Sequence, residues 1–196
     1  FYRATNQLDK AAEQMAIART LSPQKQSIMI QQGFVALALA KNDEALGFFK
    51  EAYDLDTRNL EAREYYAASL FYANRGDEAV ALMDSDAAKA RFAASDFLLG
   101  AASQSGAEEF LIELFKTRLE KDKANAQNWA TLAFLYHKLG DKETALKTLE
   151  EAKVAAPSFA KTATCISENI KNNRTPDEGC MSAPTGAAPA AAPAKQ

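Results

Sequence analysis

Five stretches of this chain repeat one another at a near-constant spacing, and that period limits the fold more than any single motif does. Ala145 recurs as Leu111, Ala79, Ala45 and Ala11, at spacings of 34, 32, 34 and 34 residues. Four positions further on, Leu149 recurs as Phe115, Met83, Phe49 and Met15. Earlier in the unit, Tyr136 recurs as Ala102, Leu70, Ala36 and Tyr2. Three almost wholly apolar columns on one period describe a single supersecondary unit used repeatedly. Such a unit cannot bury its apolar face alone and does so by stacking on its neighbours.

The stretch "NWATLAFLYHKLGDKETALKTLEEAKVAAP", Asn128 to Pro157, reads as two helices joined at Gly140-Asp141. Antiparallel helices pack closely only where small side chains meet. Gly33, Ala67 and Ala133 on first helices are therefore expected to face Ala45, Ala79 and Ala145 on second helices. Larger residues such as Phe49 and Leu149 are expected to fill the space between hairpins. Asp43 and Asp141 are expected to cap second helices, their side chains accepting from orphan backbone N–H groups. Pro23 and Pro157 stop helices, because proline lacks the donor and clashes with the preceding turn. Trp129 reads as a packing residue of this scheme, and His137, which follows Tyr136, as a surface or groove residue.

The pattern W-x2-L-A-x2-Y…A-x3-L…P is carried by Trp129, Leu132, Ala133, Tyr136, Ala145, Leu149 and Pro157, with Ala152 also matching. It resembles the tetratricopeptide repeat (TPR). The unit from Gln26 keeps Gly33, Ala45, Phe49 and Ala52, with Thr57 where the closing proline stands. The unit from Leu60 keeps Ala67 and Ala79, and the unit from Phe92 is the most degenerate, with Leu99 and Leu111 at the small positions. The resemblance implies an all-α solenoid of antiparallel helix hairpins. Its expected parts are a truncated first unit at 1–25, repeats at 26–59, 60–91 (shortened), 92–125 and 126–159, a capping helix at 160–172 and a flexible Ala/Pro-rich tail at 173–196. On this register the chain begins inside a first helix, as the back end of something longer or with that helix cut short. The stretch "MDSDAAKARFAASDF", Met83 to Phe97, departs from the pattern. Asp84, Ser85 and Asp86 favour caps and turns, so it reads as a short second helix ending near Met83 and then a capped turn entering the next hairpin. The other readings are ordinary repeat drift and a kink that changes the superhelix's curvature.

Composition narrows the function. The chain is 47% hydrophobic and 25% charged with a net charge of −3, which gives no basic face for nucleic acid. The longest apolar run, Phe34 to Ala40, is seven residues, against roughly 20 for a membrane span. One His and no CxxC leave no metal set. No phosphate loop, triad or cofactor motif is present either, so no enzyme activity is expected of this chain. Cys165 and Cys180 read either as two free thiols or as a bridge between the last helix and the tail, the latter in an oxidising compartment.

In the family it resembles, first helices line a peptide groove. By register the groove candidates are Ile30, Phe34, Leu37, Glu64, Phe71, Tyr72, Phe134, His137 and Lys138, with Glu61, Asp96, Ser103, Gln104 and Gln127 beside them. This is an apolar and aromatic strip with an acidic middle, suited to a helix or extended peptide with apolar anchors. The family's chaperone-binding members hold a terminal carboxylate with Lys and Asn. Here Ile30 and Phe34, or Glu64 and Ala68, stand in that region, which disfavours a C-terminal acidic tail. The expected function is a non-catalytic scaffold for a polypeptide partner. The segment "ARTLSPQKQ", the repeats, the closing "PSFAK" and the short tail also resemble the C-terminal repeat region of bacterial O-antigen ligase and polymerase-like membrane proteins. That resemblance implies a membrane-embedded glycan-transfer parent. A stand-alone periplasmic or lipid-anchored repeat protein of envelope assembly is the other alternative. Both favour an extracytoplasmic bacterial location.

Overall fold

The computed structural model describes residues 7–180, and among them there are eleven α-helices and no strand. The chain divides into two compact parts, one up to Lys123 and one from Ala124.

The N-terminal part begins with α1 (Leu8–Leu21), α2 (Gln26–Ala38), α3 (Asn42–Leu55) and α4 (Leu60–Tyr72). These pack in sequence, α1 on α2, α2 on α3 and α3 on α4. The repeating column is interior: Ala11, Ala45, Ala79 and Leu111 are all buried. At Gly33 the space is filled by the ring of Phe49, not by Ala45 as expected. A Cβ there would lie 2.5 Å from Phe49 Cε1. Phe49 is fully buried, which stabilises by about 1.5–3 kcal/mol for a side chain of this size. The cap expected of Asp43 is not made. Lys41 occupies the N-cap of α3 without a side-chain bond, and Asp43 sits in the first turn, where its charge complements the helix dipole.

After α4 the regular alternation fails. The second helix of this hairpin, α5 (Gly76–Ala81), has six residues, against fourteen in α3. Met83, the next large residue of the column, lies outside it. The chain turns and starts again as α6 (Asp86–Ala94), because the Ser85 hydroxyl accepts from Ala88 N and so supplies a new N-cap. The break in the repeat is therefore a true helix break that adds a helix. Ser95 ends α6 and caps α7 (Asp96–Ser105), its hydroxyl accepting from Leu98 N. Gly106, at φ 74°, closes α7 in the left-handed conformation that glycine adopts freely. Then comes α8 (Glu108–Lys121).

Two charged residues of α4 fasten the break. Arg63 donates to Asp84, in the α5–α6 turn, and to Thr57 O at 2.8 Å, with its guanidinium 5.8 Å from the Tyr53 ring centre. Glu64 accepts from Arg91 Nε on α6 and from the Ser95 hydroxyl. Arg118 of α8 donates to Asp96 at 2.7 Å and to the Ala93 carbonyl. Below them Phe71, Phe92 and Phe110 fill the interior, with Phe71 and Phe110 centroids 5.0 Å apart. A buried charge left single costs several kcal/mol, so these pairs make the broken path tolerable.

The C-terminal part is α9 (Ala126–Lys138), α10 (Lys142–Ala155), a 3₁₀ turn at Pro157–Phe159 and α11 (Ala160–Lys171). Asp141 caps α10 as expected, accepting from Thr144 N at 3.0 Å. Trp129, Ala133, Ala145 and Leu149 are buried. Helix α11 packs on α10 through Ala163, Ile166 and Ile170. The tail expected from 173 starts later. Residues 173–180 form turns that fold back on α11, where Asn169 Nδ2 donates to the Pro176 and Glu178 carbonyls at 3.2 and 2.8 Å. Cys165 and Cys180 form a disulfide. The remainder of the tail, like Tyr2, lies outside the described residues.

Candidate functional site

Three successive first helices of the N-terminal part each present an aromatic residue to one side. Phe34 comes from α2, Tyr65 and Tyr72 from α4, and Phe97 from α7. The Phe34 centroid lies 4.8 Å from Tyr65 and 5.7 Å from Phe97, with rings edge to face. Phe97 lies 6.0 Å from both Tyr65 and Tyr72. Such pairs are favourable because a ring's positive edge meets its neighbour's negative face. Phe49 supports the group from below, 5.3 Å from Phe34. All four rings are only half-buried, so they keep apolar surface open to solvent.

A cavity of about 360 Å³ opens beside them, lined by Phe34, Tyr65, Phe97, Glu64, Arg91 and Asp96 among others. Tyr65 donates to Glu61 at 3.2 Å, and Tyr72 hydrogen-bonds Gln104. Burial pushes both phenols above the usual tyrosine range, with Glu61 adding to the effect at Tyr65. Both hydroxyls are therefore neutral at physiological pH. A smaller, mainly apolar notch of about 190 Å³ lies among α1, α2 and α3, next to Met15, Val35 and Phe48.

The expected groove residues fall into three groups. Phe34 and Tyr72 stand at the aromatic bowl, and Leu37 is half-buried on α2. Ile30, Phe71 and Glu64 are corrections: all three are buried, at 6%, 1% and 4% exposure. Phe71 packs on Phe110, and both oxygens of Glu64 are taken up by Arg91 and Ser95, so none of the three offers a free side chain to a ligand. Phe134, His137 and Lys138 stand on α9, in the C-terminal part. Phe134 and His137 are half-buried and Lys138 is exposed. His137 Nδ1 is shielded from solvent without a hydrogen-bond partner. Tyr65, Phe97 and Arg91 were not anticipated. Tyr65 could have been found, since it lies seven residues before Tyr72 and so on the same helical face. Phe97 and Arg91 could not, because their places depend on the helix break. Among the described residues, no group of three or more His, Cys, Asp or Glu could hold a metal ion, and no helix is long and apolar enough to cross a membrane.

No family model matches the sequence, and no curated protein matches it either. Solved structures do match the fold. MamA is 16% identical over 82% of this chain and 88% of its own, with a TM-score of 0.61. A tetratricopeptide repeat protein from Parabacteroides merdae is 14% identical, covering 88% of this chain and 68% of its own at a TM-score of 0.56. YrrB, described as a TPR protein with an unusual peptide-binding site, is 19% identical over 80% and 81% at a TM-score of 0.52. The fold is a TPR-like α-solenoid. In TPR terms, α2/α3, α4/α5, α7/α8 and α9/α10 are the hairpins. Helix α1 takes the second-helix position, with Ala11 in the small column, and α6 is an addition to the pattern. The aromatic bowl lies on the first helices α2, α4 and α7, the elements from which TPR grooves were expected to be built.

Proposed function

We propose that this chain is a non-catalytic TPR scaffold that binds a polypeptide, seating apolar side chains of the partner on Phe34, Tyr65, Tyr72 and Phe97. One observation carries the reading: four half-exposed rings from three successive first helices converge beside an open cavity. Aromatic side chains of this kind dominate binding where they occur, because they bury a large area at low entropic cost. The description of YrrB as a TPR protein with a peptide-binding site supports the same class of ligand. The test is a titration of one captured partner against Phe34→Ala, Tyr72→Ala and Phe97→Ala, with a thermal melt of each. Each is expected to lose about 2 kcal/mol, on the order of thirtyfold in affinity. Lys147 and Glu150 variants, on the exposed surface of α10, are expected to bind as wild type. Phe134→Ala tests separately whether α9 takes part. Unchanged affinity in all three bowl variants, with folding intact, would rule the reading out.

A second reading concerns location. The Cys165–Cys180 disulfide favours an oxidising compartment, which fits the extracytoplasmic setting implied by the resemblance to O-antigen ligase-like proteins and by a stand-alone envelope protein. Alkylation of thiols in intact cells distinguishes the cases. Protected cysteines place the domain outside the cytoplasm, and freely alkylated ones return it there. Sequence upstream of Phe1 separates the two envelope readings, through multiple apolar spans or a lipoprotein signal.

A further inference from the structure

Arg91 stands at the aromatic bowl with hydrogen-bonding capacity unspent. A guanidinium has five N–H donors in a fixed fork. Here only Nε is engaged, on Glu64, and the two terminal nitrogens have no partner among the described residues. The Arg91 side chain is 41% exposed, while the Glu64 side chain is 5% exposed. Glu64 also accepts from Ser95, so the carboxylate is sealed below and holds the guanidinium by its inner edge. Arg91 lines the cavity together with Phe34, Tyr65 and Phe97. Arg91 belongs to α6, the helix that the break in the repeat creates.

Resting on the scaffold reading above, we propose that this site reads one internal acidic residue, Asp or Glu, flanked by a large apolar residue in the partner segment. The apolar side chain sits on the rings and the carboxylate takes a bidentate bond from the Arg91 terminal nitrogens. Arginine is suited to this because its planar fork matches a carboxylate. Neighbouring charges restrict the partner to a single acid. Asp96 is exposed at the rim, with Arg118 on one of its oxygens, and Glu61 is exposed beside Tyr65. Arg91 already shares its charge with Glu64. A run of acids, or a chain-terminal carboxylate with acidic neighbours, would meet like charge at Asp96 and Glu61.

The test is a selection of peptides on the whole chain from a random library presented as internal segments, followed by titration of the winners as capped synthetic peptides. The expected winners lose at least tenfold on Phe97→Ala and carry Asp or Glu next to Phe, Tyr, Leu or Ile. Replacing that acid by its amide costs about tenfold on wild type, the scale of a charge-assisted fork, and nothing on Arg91→Gln. Arg91→Lys, which keeps a charge for Glu64, loses most of the same discrimination while melting as wild type. Glu64→Gln leaves Arg91 in place without its neutralising partner, so the acidic peptide binds more tightly. A merely structural Arg91 predicts the opposite sign there. Winners that depend on Phe97 but bind Arg91→Gln as well as wild type overturn this inference and leave the scaffold reading standing. Winners that bind better with a free C-terminal carboxylate than as amides overturn it as well. Winners indifferent to Phe97, or no winners, overturn both.

Discussion

The hairpin α9/α10 and the stretch from α4 to α8 begin from the same pattern and end differently. Both keep the small residue at the helix crossing, Ala145 in one and Ala79 in the other, each with no exposed surface. In α10 the helix runs on for fourteen residues from an Asp141 cap, and Leu149 is buried one turn later. In α5 the helix stops after six, and Met83 falls beyond its end. The buried polar groups differ in the same way. Thr148 of α10 satisfies itself locally on the Thr144 carbonyl, at 2.8 Å. Glu64 of α4 reaches Arg91 and Ser95, 27 and 31 residues away in sequence. A regular repeat needs only period and local bonds. A broken one needs long-range polar pairs to hold the new path, and here one of those pairs, Glu64–Arg91, lines the aromatic cavity.

The largest test of this contrast is Phe92→Ala. Phe92 is fully buried on α6, 6.5 Å from the Phe110 centroid. If α6 is an integral part of the fold, removing the ring costs about 3–5 kcal/mol, read by denaturant unfolding. A variant of wild-type stability would make α6 a surface appendage and remove the contrast. A smaller effect is expected in the regular hairpin, where Ala145→Leu overpacks the α9–α10 crossing and costs about 1–3 kcal/mol. An unchanged melting temperature would show that the small column does not set the crossing.

The smallest effect concerns acid. Hydrogen bonds from the Thr144 side chain, then from its backbone N–H, hold the Asp141 carboxyl below the usual aspartate range. A depressed folded pKa means that this stabilisation is present above the unfolded value of about 3.9 and is lost as pH falls through the lower folded value. Asp141→Asn keeps a capping side chain without titrating, so its stability should fall less steeply below about pH 4. Equal acid slopes for the variant and wild type would show that the cap bond contributes nothing through its charge.

How far the sequence could be read follows from the range of each interaction. The column through Ala45, Ala79, Leu111 and Ala145 was legible because apolar residues at buried positions recur with the repeat. The α10 cap was legible because Asp141 acts on a backbone group three residues away. Asp43 misled because it stands two positions past the N-cap of α3, and a side chain in the first turn cannot make the cap bond. The exposure of the expected groove residues was half legible. Phe34 and Tyr72 lie on the open face. Phe71 lies on the packed side of α4, because a step of one residue from Tyr72 turns a helix face by about 100°. Ile30 shares the face of Phe34, one turn away, but is covered by packing.

The sequence by itself determined the repeating hairpin and its recurring buried column, since each depends on residues within one period. Only the tertiary structure decided that α4 carries two buried charges, that α6 exists as a separate helix, that residues 173–180 close on α11 through a disulfide, and that Phe34, Tyr65, Phe97 and Arg91 meet at one cavity. These depend on pairs many residues apart, whose partners no local pattern names. The Glu64–Arg91 pair and the aromatic bowl arise from the packing of α4, α6 and α7, and that packing is set by where the helix breaks.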